Sequence, residues 1–156
     1  MELILMRHGQ AEENMENDAE RTLTKEGQKK IKRVAFGIDH LLDGKKKICI
    51  WTSPLERAWQ TAQIIAKKLN VAEVEKVELL ATGGDLMALL EEWLPQKQAD
   101  CLIIVGHQPY LSDWSVKLAA TPLPFKKGAI AGYKLNEESP LTAQLRWFVQ
   151  PGVWSK

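Results

Sequence analysis

The stretch Glu2-Leu3-Ile4-Leu5-Met6-Arg7-His8-Gly9 decides how this chain is read. Leu3 to Met6 form an unbroken apolar run, the pattern of a strand covered on both faces of a parallel sheet. Open α/β sheets bind ligands beyond the carboxyl ends of their strands. Arg7 and His8 stand at such an end, and Gly9 lets the backbone approach closely. An imidazole beside a guanidinium suits phosphate chemistry: the first can attack phosphorus and the second can hold its oxygens.

Working outward, similar runs recur at Ile48-Cys49-Ile50-Trp51 and Cys101-Leu102-Ile103-Ile104-Val105. Strands are expected near residues 2–7, 47–52, 74–78 and 101–106, with a terminal hairpin near 129–135 and 142–149 around a polar turn at Asn136–Pro140. Between them lie amphipathic segments. Ile31, Val34, Ala35, Ile38, Leu41 and Leu42 follow helical spacing in the first. Ser53-Pro54-Leu55-Glu56 reads as a capping box opening the second, whose apolar face holds Leu55, Ala58, Ala62, Ile65, Ala66 and Leu69. Further helices are expected over 85–94 and 110–120. The alternation predicts a three-layer α/β/α sandwich with a mostly parallel sheet and a C-terminal antiparallel hairpin.

The 156 residues fit one domain over 1–156. Net charge is +1, so no nucleic-acid or membrane partner is expected, and no cofactor is called for. Glu12, Glu13, Glu16, Asp18 and Glu20 form an acidic run, followed by a basic one from Lys25 to Arg33. Both read as solvated faces. Cys49 and Cys101 read as free thiols in strands. Without a signal-peptide pattern or a bilayer-length apolar segment, a cytoplasmic chain is expected, and a monomer.

Chemistry-bearing residues recur at strand exits. Arg7 and His8 follow the first strand, Arg57 lies one turn into the helix after the second, and His107 follows Val105-Gly106. In a parallel sheet these exits share one edge, so the residues converge on one crevice. Guanidiniums, imidazoles and helix N-termini there favour an anion. The same positive charge disfavours imidazolium and a divalent cation, so no metal is expected.

Met6-Arg7-His8-Gly9, Arg21-Thr22-Leu23-Thr24-Lys25-Glu26-Gly27, Ser53-Pro54-Leu55-Glu56-Arg57-Ala58-Trp59-Gln60-Thr61-Ala62 and Val105-Gly106-His107-Gln108-Pro109 appear in order along the chain. Together they resemble the histidine phosphatase superfamily, also called phosphoglycerate mutase-like, and most of all its short SixA-type phosphohistidine phosphatases. The resemblance implies a two-step hydrolysis in which His8 takes the phosphoryl group and water releases it. Arg7, Arg57 and His107 would hold the oxygens, and Arg21 would be a further phosphate or substrate contact. The implied substrate is phosphohistidine on a protein of the histidine phosphotransfer type. A small phosphate ester is the alternative, and a phosphate-recognition module without turnover is a third reading. Gln10 stands where many SixA-like chains carry an acidic residue. For the general acid of the larger relatives, topology offers only Glu78 and Asp85, near Gly83-Gly84. His40, near the end of the first helix, reads as structural. Packing roles are expected for Gln60 and Thr61, and the six tryptophans read as core or rim, with Trp59 a candidate for the pocket wall.

Overall fold

A computed structural model of the protein describes residues 1–13, 15–44, 47–138 and 140–154. Its strands are β1 (Glu2–Arg7), β2 (Ile48–Thr52), β3 (Val74–Lys76), β4 (Cys101–Gly106), β5 (Ile130–Asn136) and β6 (Thr142–Val149). Its helices are α1 (Lys25–Leu41), α2 (Glu56–Leu69), α3 (Leu79–Thr82), α4 (Leu86–Trp93) and α5 (Tyr110–Ala119). The strands form a six-stranded sheet in the order β3-β2-β4-β1-β5-β6. β3, β2, β4 and β1 are parallel, while β5 and β6 add antiparallel strands beyond β1. The expected mostly parallel sheet with a terminal hairpin is therefore present. Ser139, inside the expected hairpin turn, lies outside the described residues.

Strand alternation divides the core. Ile4 and Met6 of β1 face Ile31, Val34, Ala35 and Ile38 of α1 and Ala58, Ala62 and Ile65 of α2. Leu3 and Leu5 face the other layer, built on Leu80 of α3, Leu86 and Leu90 of α4, and Leu111, Trp114 and Leu118 of α5. Every residue of β4 is buried, as its continuously apolar sequence requires. The chain steps outward from β1 to β2 to β3, then returns to place β4 between β1 and β2. This reversal puts a crevice between the carboxyl ends of β1 and β4. Among the described residues, no helix is long and apolar enough to cross a membrane.

Local expectations differ in instructive ways. α2 begins at Glu56 with Leu55 at its cap and no side-chain capping bond, so Ser53-Pro54-Leu55-Glu56 is not a capping box. Ser53 N–H still donates to Val105 O across the sheet (3.0 Å), which keeps the chain on β4 and delays the helix. Leu41 is 37% exposed although its spacing suggested burial; at this end of α1 the core is reached by Ile38 and Leu42 instead. The segment before α4 holds the extra short helix α3, closed by Gly83 at φ 77°. Cys101 is buried and Cys49 half-buried, and neither is in a disulfide.

Candidate active site

The turn after β1 is stitched to three neighbours. Arg7 N donates to Ala129 O (3.0 Å) and His8 N to Gly106 O (3.1 Å). Gly128 N donates to both Arg7 O (3.0 Å) and His8 O (3.1 Å), from a backbone at φ 87° that a residue with a Cβ adopts only under strain. Gly9 N donates to Thr61 Oγ1 (3.0 Å), and that hydroxyl donates in turn to Arg57 O (2.8 Å). Thr61 thus ties the first strand exit to the helix carrying Arg57. Gln60 does similar work one residue earlier, its Oε1 accepting from Leu23 N (2.6 Å). Both side chains are thus hydrogen-bonded to the backbone of segments packed against α2.

His8 is 5% exposed, and its Nδ1 lies 2.7 Å from Gly9 O. A carbonyl oxygen only accepts, so Nδ1 carries the proton and Nε2 keeps its lone pair. Burial, ahead of the nearby charges of His107, Arg57 and Arg7, holds the His8 pKa down at about 3. The charge argument from sequence named the smaller cause; desolvation is the larger. The His107 ring centroid is 5.0 Å from that of His8. Burial, followed by Arg57 and Arg7, lowers the His107 pKa to about 4. Both rings are neutral near pH 7.

His107 Nε2 is hydrogen-bonded to Ser53 Oγ at 2.7 Å, and the same hydroxyl oxygen accepts from Leu55 N (3.2 Å). Ser53 is therefore a site residue that sequence reading assigned to a helix cap. Arg7 Nη1 donates to Phe125 O (3.0 Å), while its buried Nε has no hydrogen-bond partner among the described residues.

Arg57 is 8% exposed and meets a residue that the acidic run concealed. Its Nη1 donates to Asp18 O (2.9 Å), and its Nη2 lies 3.3 Å from Asp18 Oδ2. Arg21 Nη1 binds Asp18 Oδ1 (3.1 Å), and Arg21 Nε donates to Glu12 O (2.6 Å). Hydrogen bonding to Arg21, with the charge of Arg57, holds the Asp18 carboxyl below the usual carboxylate range. Arg21 thus braces the segment after His8 through its Nε and Nη1. Nothing local distinguished Asp18 from Glu12, Glu13, Glu16 and Glu20, all of which are exposed.

The remaining candidates fall elsewhere. Asp85 caps α4, its Oδ1 accepting from Ala88 N (3.0 Å), and Glu78 is exposed at the start of α3. Neither has a hydrogen bond to the two histidines among the described residues. Gln10 is exposed, and its backbone oxygen accepts from Thr24 N (3.0 Å). Trp59 lies beneath Lys76 Nζ (4.4 Å to the ring centroid). His40 packs edge-on against Phe36 in the last turns of α1, as a structural residue would. A groove of about 650 Å³ opens at the opposite edge of the sheet, lined by Met1, Glu2, Asp100 and Arg146 among others. No histidine is among the residues that line it.

The geometry defines an α/β protein with an imidazole lone pair set among guanidiniums at the switch point of its sheet. The chain belongs to the histidine phosphatase superfamily: the sequence model for branch 1 of that family matches residues 3–100. An uncharacterised protein of Picosynechococcus sp. is 36% identical over 143 residues, covering 86% of this chain and 85% of the relative. Among solved structures, the protein histidine phosphatase SixA complexed with tungstate superposes with a TM-score of 0.86 at 24% identity, over 99% of this chain and 100% of that one. A phosphoserine phosphatase of Entamoeba histolytica, in complex with 3-phosphoglyceric acid, gives 0.69 at 19% identity over 94% and 95%. At these identities the structural likenesses establish the shared fold.

Proposed function

We propose that this protein is a phosphatase that removes the phosphoryl group from phosphohistidine on a partner protein, through a covalent phospho-His8 intermediate. The observation that carries the chemistry is the 2.7 Å contact from His8 Nδ1 to Gly9 O, which leaves Nε2 as the free nucleophile. Nε2 attacks phosphorus in line with the leaving nitrogen. Arg7 and Arg57 balance charge on the equatorial oxygens, and His107, held by Ser53, donates a hydrogen bond to one of them. Water then attacks the phosphorus of phospho-His8, returning His8 and free phosphate. Arg21 acts by bracing Asp18 and Glu12 rather than by touching phosphate.

The substrate class is supported by the state of the carboxylate bonded to Arg57. An alkoxide leaving group needs an acid at its oxygen. The carboxylate in contact with this machinery is that of Asp18, and two guanidiniums keep it ionised. A phosphoimidazole whose ring already carries a proton departs as neutral imidazole and needs no such donor. The match to SixA, over 99% of this chain and 100% of that one, supports the same class.

The test compares kcat/KM for a phosphohistidine-bearing phosphotransfer domain with values for phosphoserine and other small phosphate esters, using His8→Asn as the control. The proposal expects a preference of about a hundredfold or more for the phosphorylated protein, a gap near 3 kcal/mol in transition-state binding. Preference for an ester would assign the protein to the metabolite phosphatases. Phosphate binding without release from any substrate would make it a recognition module.

A further inference from the structure

The contact between Asp18 and Arg57 has no part in the chemistry above, yet it occupies the most buried guanidinium of the site. Arg57 presents its Nη1 to the Asp18 carbonyl (2.9 Å) and its Nη2 to the Asp18 carboxylate (3.3 Å). Its side chain is 10% exposed, whereas that of Asp18 is 67% exposed. The carboxylate therefore reaches a buried cation from the solvent side, the direction from which a phosphoryl group must also arrive. Arg21 holds the other carboxylate oxygen through Nη1 (3.1 Å), and its own position is fixed by the bond from Nε to Glu12 O (2.6 Å). Asn17 stabilises the same turn, its Oδ1 accepting from Ala19 N (3.0 Å).

We propose that Asp18 is a specificity-determining residue of this site: its carboxylate is a resident anion on Arg57 that an incoming phosphoryl group must displace or share. The inference rests on the reading of Arg57 as a phosphate ligand. Two consequences follow from charge. Weakly held anions, the product phosphate among them, are penalised because they compete with a carboxylate already in place. The penalty grows with ligand charge, since Asp18 and the exposed Glu12, Glu13, Glu16 and Glu20 of the same segment repel every additional negative group. The favoured substrate class is a single phosphoryl group on a neutral or basic carrier, and polyphosphorylated small molecules are disfavoured.

The experiment is calorimetric titration of the whole protein with inorganic phosphate and with pyrophosphate, for wild type, Asp18→Asn and Asp18→Ala. Both variants lie on an exposed turn, and circular dichroism checks their fold. The expected result is phosphate binding tighter by about fivefold in both variants, the upper range for losing one exposed ion pair. The gain should be larger for pyrophosphate and should shrink at high salt. Unchanged or weaker phosphate binding in the variants overturns the proposal, and weaker binding would make Asp18 a residue that merely positions Arg57. Arg57→Ala separates the two readings. If it abolishes wild-type phosphate binding, the site stands and the Asp18 variants judge this proposal alone. If neither wild type nor the Asp18 variants bind either anion, both readings fail.

Discussion

Replacing His8 by Asn should make the protein markedly less sensitive to mild acid. Asn Nδ2 can reach Gly9 O as His Nδ1 does, so the local hydrogen bond is kept while the titrating ring is lost. In the folded wild type, the His8 pKa is lowered to about 3. In the unfolded chain it returns to about 6.5. Above that value both states hold a neutral ring and the group contributes no pH dependence. As pH falls below it, the unfolded chain binds a proton that the folded one refuses, so stability is lost. The loss continues until the folded pKa is reached. Between about pH 7.5 and pH 5 the unfolded state gains about 1.5 pH units of proton binding, at about 1.4 kcal/mol per unit. His8 alone thus costs about 2 kcal/mol over that interval. The assay is urea denaturation of wild type and His8→Asn at both pH values in a phosphate-free buffer. The acid-induced loss should be about 2 kcal/mol smaller in the variant, because all other groups cancel in the double difference. His107→Gln should act in the same direction, since its ring is also held neutral. Equal losses in wild type and His8→Asn would mean that His8 titrates in the folded protein near its ordinary value, and the desolvated-nucleophile reasoning would be wrong.

Thr61→Val keeps the shape of the side chain but removes the acceptor of Gly9 N–H, and a buried donor left unpaired costs about 1–3 kcal/mol; unchanged stability on urea denaturation would contradict the tie between β1 and α2. Gly27→Ala should destabilise by about 1–3 kcal/mol despite the better helix former, because the new Cβ collides with the backbone oxygen of Gln10. A variant that melts higher than wild type would show that the turn yields. Ser53→Ala should lower kcat on the preferred substrate by about three- to tenfold with KM little changed, the worth of one hydrogen bond that orients His107. A change confined to KM would instead place Ser53 in ground-state binding.

The fold was legible because its signals are long and repeated. The apolar runs of β1, β2 and β4 have the length and continuity of strands covered on both faces, and α1 and α2 carry helical periodicity over several turns. Short elements were harder: four residues of α3 offer too little pattern to register against the loop around Gly83. Arg7, His8 and His107 were readable because Arg7 ends β1 while His8 and His107 directly follow β1 and β4, so the sheet itself fixes their edge. Arg57 was readable from the helix that carries it, and the bond from Gly9 N to Thr61 shows how that helix is held to the exit of β1. Ser53 and Asp18 were not. The serine's position before Pro54 suits a cap equally well, and only the approach of β4 to β2 reveals His107 beside it. Asp18 is one carboxylate among several on an irregular segment, and the long reach from that segment to α2 has no local sequence mark. Arg21 shares that segment, and its bonds through Nε and Nη1 to Glu12 and Asp18 likewise have no local sequence mark.

The most direct measurement concerns where the phosphoryl group rests. The protein is mixed with a phosphohistidine-bearing domain and quenched within one turnover in denaturing alkali, which preserves phosphoimidazoles. Peptides containing residue 8 are then mapped by mass spectrometry. A phosphoryl group on Nε2 of His8, formed and lost at rates that account for turnover, is the expected outcome. Phosphate released at the same rate with residue 8 never modified, or modified at Nδ1, would contradict the assignment of the free lone pair.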